Sequence, residues 1–399
     1  MTINNEHKKL NVPNLRFPEF QGEWEKCKLG ELTTKVGSGS TPKGGNAVYT
    51  SVGHCFVRSQ NVGMGYLILD DIAHIDDDIH KKYKATELSE DDVLLNITGA
   101  SIGRTAIATK EIEGGNVNQH VCIIRANSKV SPKFLCNYIQ TKKIQNYIRS
   151  LQTGGSREGL NFDQIRSFPI SLPSIAEQNK IAQLLDKLNE RIATQNKIIE
   201  DLKKLKSAII EKLYKGIQGT WYSYRQLFSI INERNKQLEY SNVLSASQER
   251  GMVSREDLNL DIHFERSNIS TYKIVKNGDY VIHLRSFQGG FAFSEKTGIC
   301  SPAYTVLRPN NLLVYGYLSN YFTSRDFVKS LIIVTYGIRD GRSINVDEWL
   351  DMKVVIPSKE QQTHIANVIE SIENKIKNEE TYSNCLLNQK QYLLRQMFI

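Results

Sequence analysis

The chain contains no C-x-x-C pair. Its six cysteines (Cys27, Cys55, Cys122, Cys136, Cys300 and Cys385) are scattered, and none has a histidine at zinc-finger spacing. A disulfide framework or a structural zinc is therefore not expected, and the thiols read as the reduced ones of a cytoplasmic protein. No apolar run reaches the roughly 18 residues that a membrane-spanning helix needs. The first residues, MTINNEHKKLNVPNLRFPEF, lack the apolar centre of a signal peptide. Catalytic signatures are missing too. There is no G-x-x-x-x-G-K-[ST] phosphate loop, no G-x-G-x-x-G opening a dinucleotide fold, and no Asn/Asp-Pro-Pro-Tyr/Phe. The stretch TGASIGR (Thr98–Arg104) has the glycines of a phosphate loop without its lysine. The expectation is a chain that is not itself an enzyme, carries no cofactor or metal, and has no membrane partner.

What is present is a long, well-filled sequence. The chain has 399 residues, 40% hydrophobic and 9% aromatic, enough for two or three domains with real cores. Lys and Arg number 51 against 43 Asp and Glu, a net charge of +8. This modest excess suits a polyanionic partner without requiring one.

The sequence also repeats itself. LNFDQIRSFPISLPSIAEQNKIA (Leu160–Ala182) matches INVDEWLDMKVVIPSKEQQTHIA (Ile344–Ala366). Asn161 aligns with Asn345, Asp163 with Asp347, Pro173 with Pro357, Gln178 with Gln362 and Ile181-Ala182 with Ile365-Ala366. Upstream, FLCNYIQ resembles YLSNYFT, HVCIIRAN resembles AYTVLRPN, and Asp92 fits Asp279. Further upstream, Trp24 is expected to pair with Trp221. The matched blocks keep their order, so one domain-plus-helix unit is written twice.

Each unit begins with a globular part. DVLLNITG, RTAIA and VCIIRA are short β-branched runs between Gly and Asn signals, and predict strands. SPKFLCNYIQTKKIQNYIRSL has helical spacing from an N-cap and first-turn proline at Ser131-Pro132. NLLVYGYLSNYFTSRDFVKSLI behaves alike in the second copy. A long helix follows. Ser174 and Glu177 form a potential capping box, and Ile181, Leu184, Leu185, Leu188, Ile192, Ile199, Leu202, Leu205, Ile209 and Leu213 make one apolar stripe, uninterrupted until Gly216. From Ser174 to Lys215 it would extend about 60 Å. The second copy places Ile365, Val368, Ile369, Ile372, Ile376, Leu386, Leu393 and Met397 in a similar stripe. A single stripe needs a partner, and the two helices can supply one another's. Ile198, Ile210, Ile217, Tyr382 and Leu387 fall outside the stripe, where a partner protein could cover them.

The fold class expected is α+β: two tandemly duplicated mixed α/β domains, each followed by a long helix, the helices packing as an antiparallel coiled coil. The boundaries expected are an N-terminal extension (1–17), a first domain (18–173), a first helix (174–216), a second domain (217–357) and a second helix (358–399). A pseudo-twofold pair of domains matches the twofold of duplex DNA, with the helices setting their separation.

At this point the residues carry a resemblance. LRFPEFQGEWEKCKLGEL, GSGSTPKGG, DDVLLNITGASIGRTAI and GGSREGLNFDQIRSFPISLPSIAEQNKIA before a long helix, with the arrangement then repeated, resemble the specificity subunit (HsdS) of type I restriction–modification systems over residues 11 to 399. The resemblance implies two target recognition domains, each reading half of an asymmetric, interrupted target in double-stranded DNA. It implies two modification subunits that carry S-adenosylmethionine and methylate adenine, and restriction subunits that use ATP and magnesium. The catalytic activities would lie in those partners.

Base edges are read by Arg, Lys, Asn, Gln, Ser and Thr on loops able to enter a groove. In the first domain the candidates are Ser38, Ser40, Thr41 and Lys43 of GSGSTPKGGN, then Arg58, Gln60 and Asn61. Thr98, Ser101 and Arg104 follow, with Ser156 and Arg157 just before the helix junction. In the second they are Ser247, Gln248, Arg250, Arg285, Ser286, Gln288, Tyr336, Arg339 and Arg342. Such Gly/Ser/Arg loops are also ordinary solvated turns.

Two rivals stand beside this reading. One is a stand-alone coiled-coil DNA-binding regulator with no methyltransferase partner. The other is a metal nuclease built on Asp70, Asp71, His74, Asp76, Asp77, Asp78 and His80. The second copy has no counterpart of that acidic segment, which favours a charged surface loop.

Overall fold

The computed structural model describes residues 10–152, 159–247, 250–258, 266–283, 290–336 and 343–399. The chain divides into two compact units. The first comprises Met1–Asn196 with Thr381–Ile399, the second Lys197–Glu380.

The first unit is built on a four-stranded antiparallel sheet, ordered Thr33–Ser38, Val121–Ala126, Val93–Asn96, Thr105–Ile107. Alternate side chains enter different cores. Val93, Leu95, Cys122 and Ile124 join Trp24, Phe134, Tyr138 and Ile165 on one face. Leu94, Ala106, Val121 and Ile123 join Val57, Val62 and Val117 on the other. Burial on both faces explains why the predicted strands read as unbroken apolar runs rather than alternating ones. The second unit repeats the sheet with Phe228–Ile231, Thr305–Pro309, Tyr280–Ile282 and Phe291–Phe293. Tyr280, Ile282 and Leu307 face one core there, and Val281 and Val306 the other.

The helix expected over Ser131–Leu151 is two helices, Pro132–Ile139 and Lys142–Ser150. Thr141 makes the break, because its hydroxyl accepts from the Ile144 N–H and starts the second helix afresh. The second unit breaks likewise between Tyr317–Tyr321 and Arg325–Ser330, where Ser324 caps. A further strand, Glu25–Lys28, pairs with Pro169–Leu172, and Thr220–Ser223 pairs with Lys353–Ile356. Their registers correct the tryptophan alignment. Lys26 faces Ser171, and Trp221 faces Val355, so Lys26 and not Trp24 is the counterpart of Trp221. Trp24 lies in the core, edge-on to Phe134, whereas Trp221 is 65% exposed.

The two long helices run over Ile175–Tyr214 and Lys359–Gln396. Within the second unit Lys206 pairs with Glu373 and Lys203 with Glu380. Within the first, the Ser383 hydroxyl donates to Asn196. Partners rise in number on one helix as they fall on the other, so the pairing is antiparallel. Ser174 receives the Glu177 N–H, but the Glu177 carboxylate is taken by Arg16 at 2.7 and 2.8 Å.

Each helix ends inside a core. Leu394 of the second helix, with Met397 and Phe398 just past its end, enters the first unit's core, where Phe398 packs on Phe134 and Tyr138. Tyr214 of the first helix packs in the same manner on Tyr317 and Tyr321 of the second unit. Ile210, expected on an outer face, is buried with it at 5% exposure. The apolar stripe misplaces Ile210 because near the helix end the partner surface is a domain core rather than the other helix. Ile198, Tyr382 and Leu387 do remain exposed.

The duplicated junction has a physical explanation. The Gln178 amide accepts from the Ser131 N–H at 2.8 Å and donates to the Lys129 and Pro173 carbonyls. Gln362 does the same with the Val314 N–H and the Leu312 and Pro357 carbonyls. Both glutamines are buried. Each pairs a carbonyl of the domain-to-helix turn and two backbone groups of the loop before the domain's own short helices. Asn161 and Asn345 cap equivalent short helices. Buried Asp92 is held bidentately by Arg125, and Asp279 by Arg308. Burial pushes the thiols of Cys122 and Cys300 up to about 12, so both act as small apolar side chains.

Candidate nucleic-acid interface

Several of the candidate readers of the first domain come together. Ser59, Gln60, Thr98, Gly99, Ala100, Ser101, Arg104 and His120 line an open hollow of about 440 Å³. The TGASIGR loop forms one wall. It leaves the strand Val93–Asn96, makes a single turn at Gly99–Ser101 and returns at Thr105. Gly103 sits at φ +84°, and Gln145 donates to its carbonyl at 2.9 Å. A Cβ there would lie 2.7 Å from the Gln145 oxygen, so glycine lets the loop press against the helix beneath it. Arg104 is exposed and has no ion-pair partner among the described residues.

The GSGSTPKGGN loop is brought to the same place by Gly39. A Cβ on Gly39 would lie 1.7 Å from the Val117 carbonyl oxygen. The backbone therefore lies directly on the strand Asn116–Val117, and the loop beyond it reaches the turn after that strand. There the Thr41 hydroxyl donates to the Gln119 amide oxygen. The Gln119 amide nitrogen lies 3.2 Å from His120 Nε2, and His120 Nδ1 lies 2.5 Å from the Thr98 hydroxyl. A chain of four side chains thus joins two loops that are distant in sequence. Neither Gln119 nor His120 was singled out from the sequence. NVNQHV reads locally as a turn, and only the fold shows what it meets.

Other candidates have different surroundings. Ser40 and Lys43 are exposed and Ser38 is half-buried. Arg58 donates to the Asp71 carbonyl at 2.8 Å and lies over Tyr49, while Gln60 donates to the Asp71 carboxylate at 2.8 Å. Asn61 is 1% exposed, and its amide serves the Arg58 N–H and the Ile68 carbonyl. It shapes the loop from inside. In the second domain, Ser247 and Arg250 stand at the hairpin of Leu244–Ser247 and Gly251–Ser254. Tyr336 pairs through its backbone with Ser343.

Ser156, Arg157, Gln248, Arg285, Ser286, Gln288, Arg339 and Arg342 lie outside the described residues. The segment holding Ser156 and Arg157 rejoins the described chain at Gly159, which bridges to Thr98 beside the hollow.

The acidic segment has other work. Asp76 caps the helix Asp77–Lys82, Asp77 bonds His54 at 2.9 Å, and His80 stacks on His54. Among the described residues no three His, Cys, Asp or Glu side chains converge as a metal site would require. No helix among them is long and apolar enough to cross a membrane.

A duplicated mixed α/β domain with an exposed polar loop cluster, followed each time by a long helix docked through a buried glutamine, defines a class of two-domain recognition scaffolds. Residues 21–204 match the family described as Type I restriction modification DNA specificity domain. The putative type I restriction enzyme MjaX specificity subunit of Methanocaldococcus jannaschii is 21% identical over 398 residues, covering 93% of this chain and 91% of that protein. The EcoKI specificity subunit of Escherichia coli is 19% identical over 358 residues, covering 79% and 74%. Among solved structures, one described as the structural basis of complex assembly and conformational transition of the type I R-M system aligns with a TM-score of 0.58 at 16% identity, covering 94% of this chain and 97% of that one. The S subunit of a type I restriction–modification system from M. genitalium aligns at 0.56 with 13% identity, covering 97% and 99%. At such identities the structural likeness speaks for the fold. Residues 21–204 thus match the type I restriction–modification specificity domain, and the chain as a whole is similar to type I specificity subunits over nearly its full length.

Proposed function

We propose that this chain is the DNA sequence-specificity subunit of a type I restriction–modification complex. Each domain reads one half of an asymmetric, interrupted target, and the long helices carry two modification subunits. Adenine methylation, with S-adenosylmethionine, belongs to those subunits. ATP- and magnesium-dependent cleavage belongs to restriction subunits that join them. The chain itself holds no cofactor, and it works in the cytoplasm. Exposed Ser40, Lys43, Gln60 and Arg104, with half-buried Thr98 and Ser101, serve the first half-site, and Ser247 and Arg250 the second.

The observation that carries the reading is one framework built twice. Gln178 and Gln362, Asp92–Arg125 and Asp279–Arg308, and Asn161 and Asn345 repeat bond for bond, while the loops between them differ. A duplicated scaffold with unlike loops suits two unlike half-sites. The regulator alternative draws no support from the comparisons.

The test is genome-wide adenine methylation in a host expressing the cognate modification subunit, with and without this chain. One new interrupted, asymmetric motif is expected only when the chain is present. Replacing residues 18–175 with another recognition domain is expected to change one half of that motif. A change in both halves would sink the assignment of one half-site to each domain.

A further inference from the structure

The four-membered relay at the hollow is a polar construction of the first domain that the second does not copy. The strand registers place Leu307 opposite Tyr280 and Ile124 opposite Val93, which aligns His120 with Ala303 and Gln119 with Pro302. The second unit therefore has no side-chain hydrogen-bonding group at either position. The glutamine lock, the buried aspartate–arginine pair and the short-helix cap are duplicated, and the relay is not. Scaffold roles predict duplication, whereas readout of one half-site predicts its absence.

We infer that Gln119 and His120 are positioning residues for base recognition, holding Thr98 as an oriented donor beside Arg104 in the hollow, and that the pair reads an acceptor-bearing base edge of the first half-site. The inference rests on the specificity-subunit reading above. The chemistry follows along the chain. With the Thr41 hydroxyl donating to the Gln119 oxygen, the amide nitrogen is turned toward His120. An amide nitrogen only donates, so His120 Nε2 accepts, and the ring proton resides on Nδ1. Nδ1–H then donates to the Thr98 oxygen, which leaves the Thr98 hydroxyl proton free to point elsewhere. Thr98 and exposed Arg104 both line the hollow. The result is a hydroxyl donor fixed in orientation beside a guanidinium with up to five donors. A donor-only pair suits the guanine edge, where O6 and N7 both accept, and it disfavours adenine, whose N6 donates. A phosphate oxygen offers the same acceptors without sequence information, so the two sources must be separated by experiment.

The experiment uses the full-length chain with its modification partner and two readouts. The first is the methylation motif in cells. The second is equilibrium binding to duplexes carrying the wild-type motif and each single-base substitution of it. The variants are His120→Ala, His120→Asn and Arg104→Gln. His120→Ala is expected to cost roughly ten-fold or more in discrimination at one base pair of the first half-site, as loss of a specific base contact does, with the second half unchanged. His120→Asn places an amide N–H where Nδ1–H stood and is expected to restore the motif, which a merely structural role would not predict. Arg104→Gln is expected to relax the same base pair. A uniform loss of affinity across all duplexes, with a shallower salt dependence, would show a phosphate contact and overturn the inference while leaving the specificity-subunit reading intact. An unchanged motif in His120→Ala would also overturn it. If the wild-type chain directs no motif at all, the underlying reading fails first.

Discussion

At the scale of single residues, buried polar side chains do more here than the apolar ones to define where a helix begins. Gln178 satisfies one N–H and two carbonyls at once, tying the turn at Pro173, where the long helix begins, to the loop that starts the helix Pro132–Ile139. Gln178→Ala leaves those groups buried and unpaired. At about 1–3 kcal/mol for each unsatisfied group, the first unit is expected to lose about 3 kcal/mol or more in urea unfolding. A loss below about 1 kcal/mol would mean that water fills the gap and that the glutamine is not the lock described. Lys390 presents the opposite situation. It is 7% exposed and has no ion-pair partner among the described residues, and burial lowers its pKa. The unfolded chain then binds more protons than the folded one below the ordinary lysine pKa. The stability lost to this lysine is expected to return as pH rises toward that ordinary value. Lys390→Met is expected to raise the melting temperature at neutral pH and to flatten the rise at alkaline pH. Equal melting temperatures at pH 7 would show that the ammonium group finds solvent or a polar partner.

At the scale of elements, the apolar stripes predict helices but not what each turn of a helix packs against. The stripe residues Ile181, Leu185 and Leu188 are buried as expected, yet Leu184 and Leu205 are exposed and Ile210 is buried. The reason is that each long helix changes partner along its length and finishes in a domain core. Phe398 shows what that contact is worth. It is 6% exposed and lies against Phe134 and Tyr138 at ring-centroid distances of 5.2 and 5.5 Å. Phe398→Ala is expected to cost the first unit about 3–5 kcal/mol. Amide hydrogen exchange is expected to speed up in the sheet strands Val93–Asn96 and Val121–Ala126 and to stay unchanged in Tyr280–Ile282. Loss of protection in both units would mean that they unfold together. Strands, long helices and the repeat were all legible in the sequence because they rest on periodicity and punctuation. The break at Thr141 was legible in principle, since threonine before a polar turn is a capping signal, but the helical spacing on both sides outweighed it. The Trp24–Trp221 match failed for a different reason. Identity of a residue type says nothing about strand register, and the register is set by which neighbours face each other across the pair.

At the scale of the whole molecule, the candidate site was legible only in part. The loops carrying Thr41, Thr98 and Arg104 announce themselves by glycine and polar composition. Their convergence on Gln119 and His120 depends on Gly39 lying against Val117, a contact between residues far apart in sequence that no local pattern encodes. Duplication then separates what builds the protein from what individualises each domain, and this has a thermodynamic consequence. If each domain reads its own half-site, substitutions in the two loop clusters act on independent contacts. Their effects on DNA binding are then expected to add within about 0.3–0.5 kcal/mol. The pair to combine is Arg104→Gln in the first domain with Arg250→Ala in the second, measured singly and together on the full target by the full-length chain. Each single variant is expected to relax one half of the methylation motif, and the double variant both halves, with the binding losses summing. The salt slope discriminates further. A substitution that removes a base contact leaves the dependence of log K on log salt concentration unchanged, whereas removing one phosphate contact lowers it by about 0.9. A coupling well beyond additivity would mean that the two clusters act on one shared stretch of DNA. In that case the duplication would serve affinity for a single site rather than the reading of two.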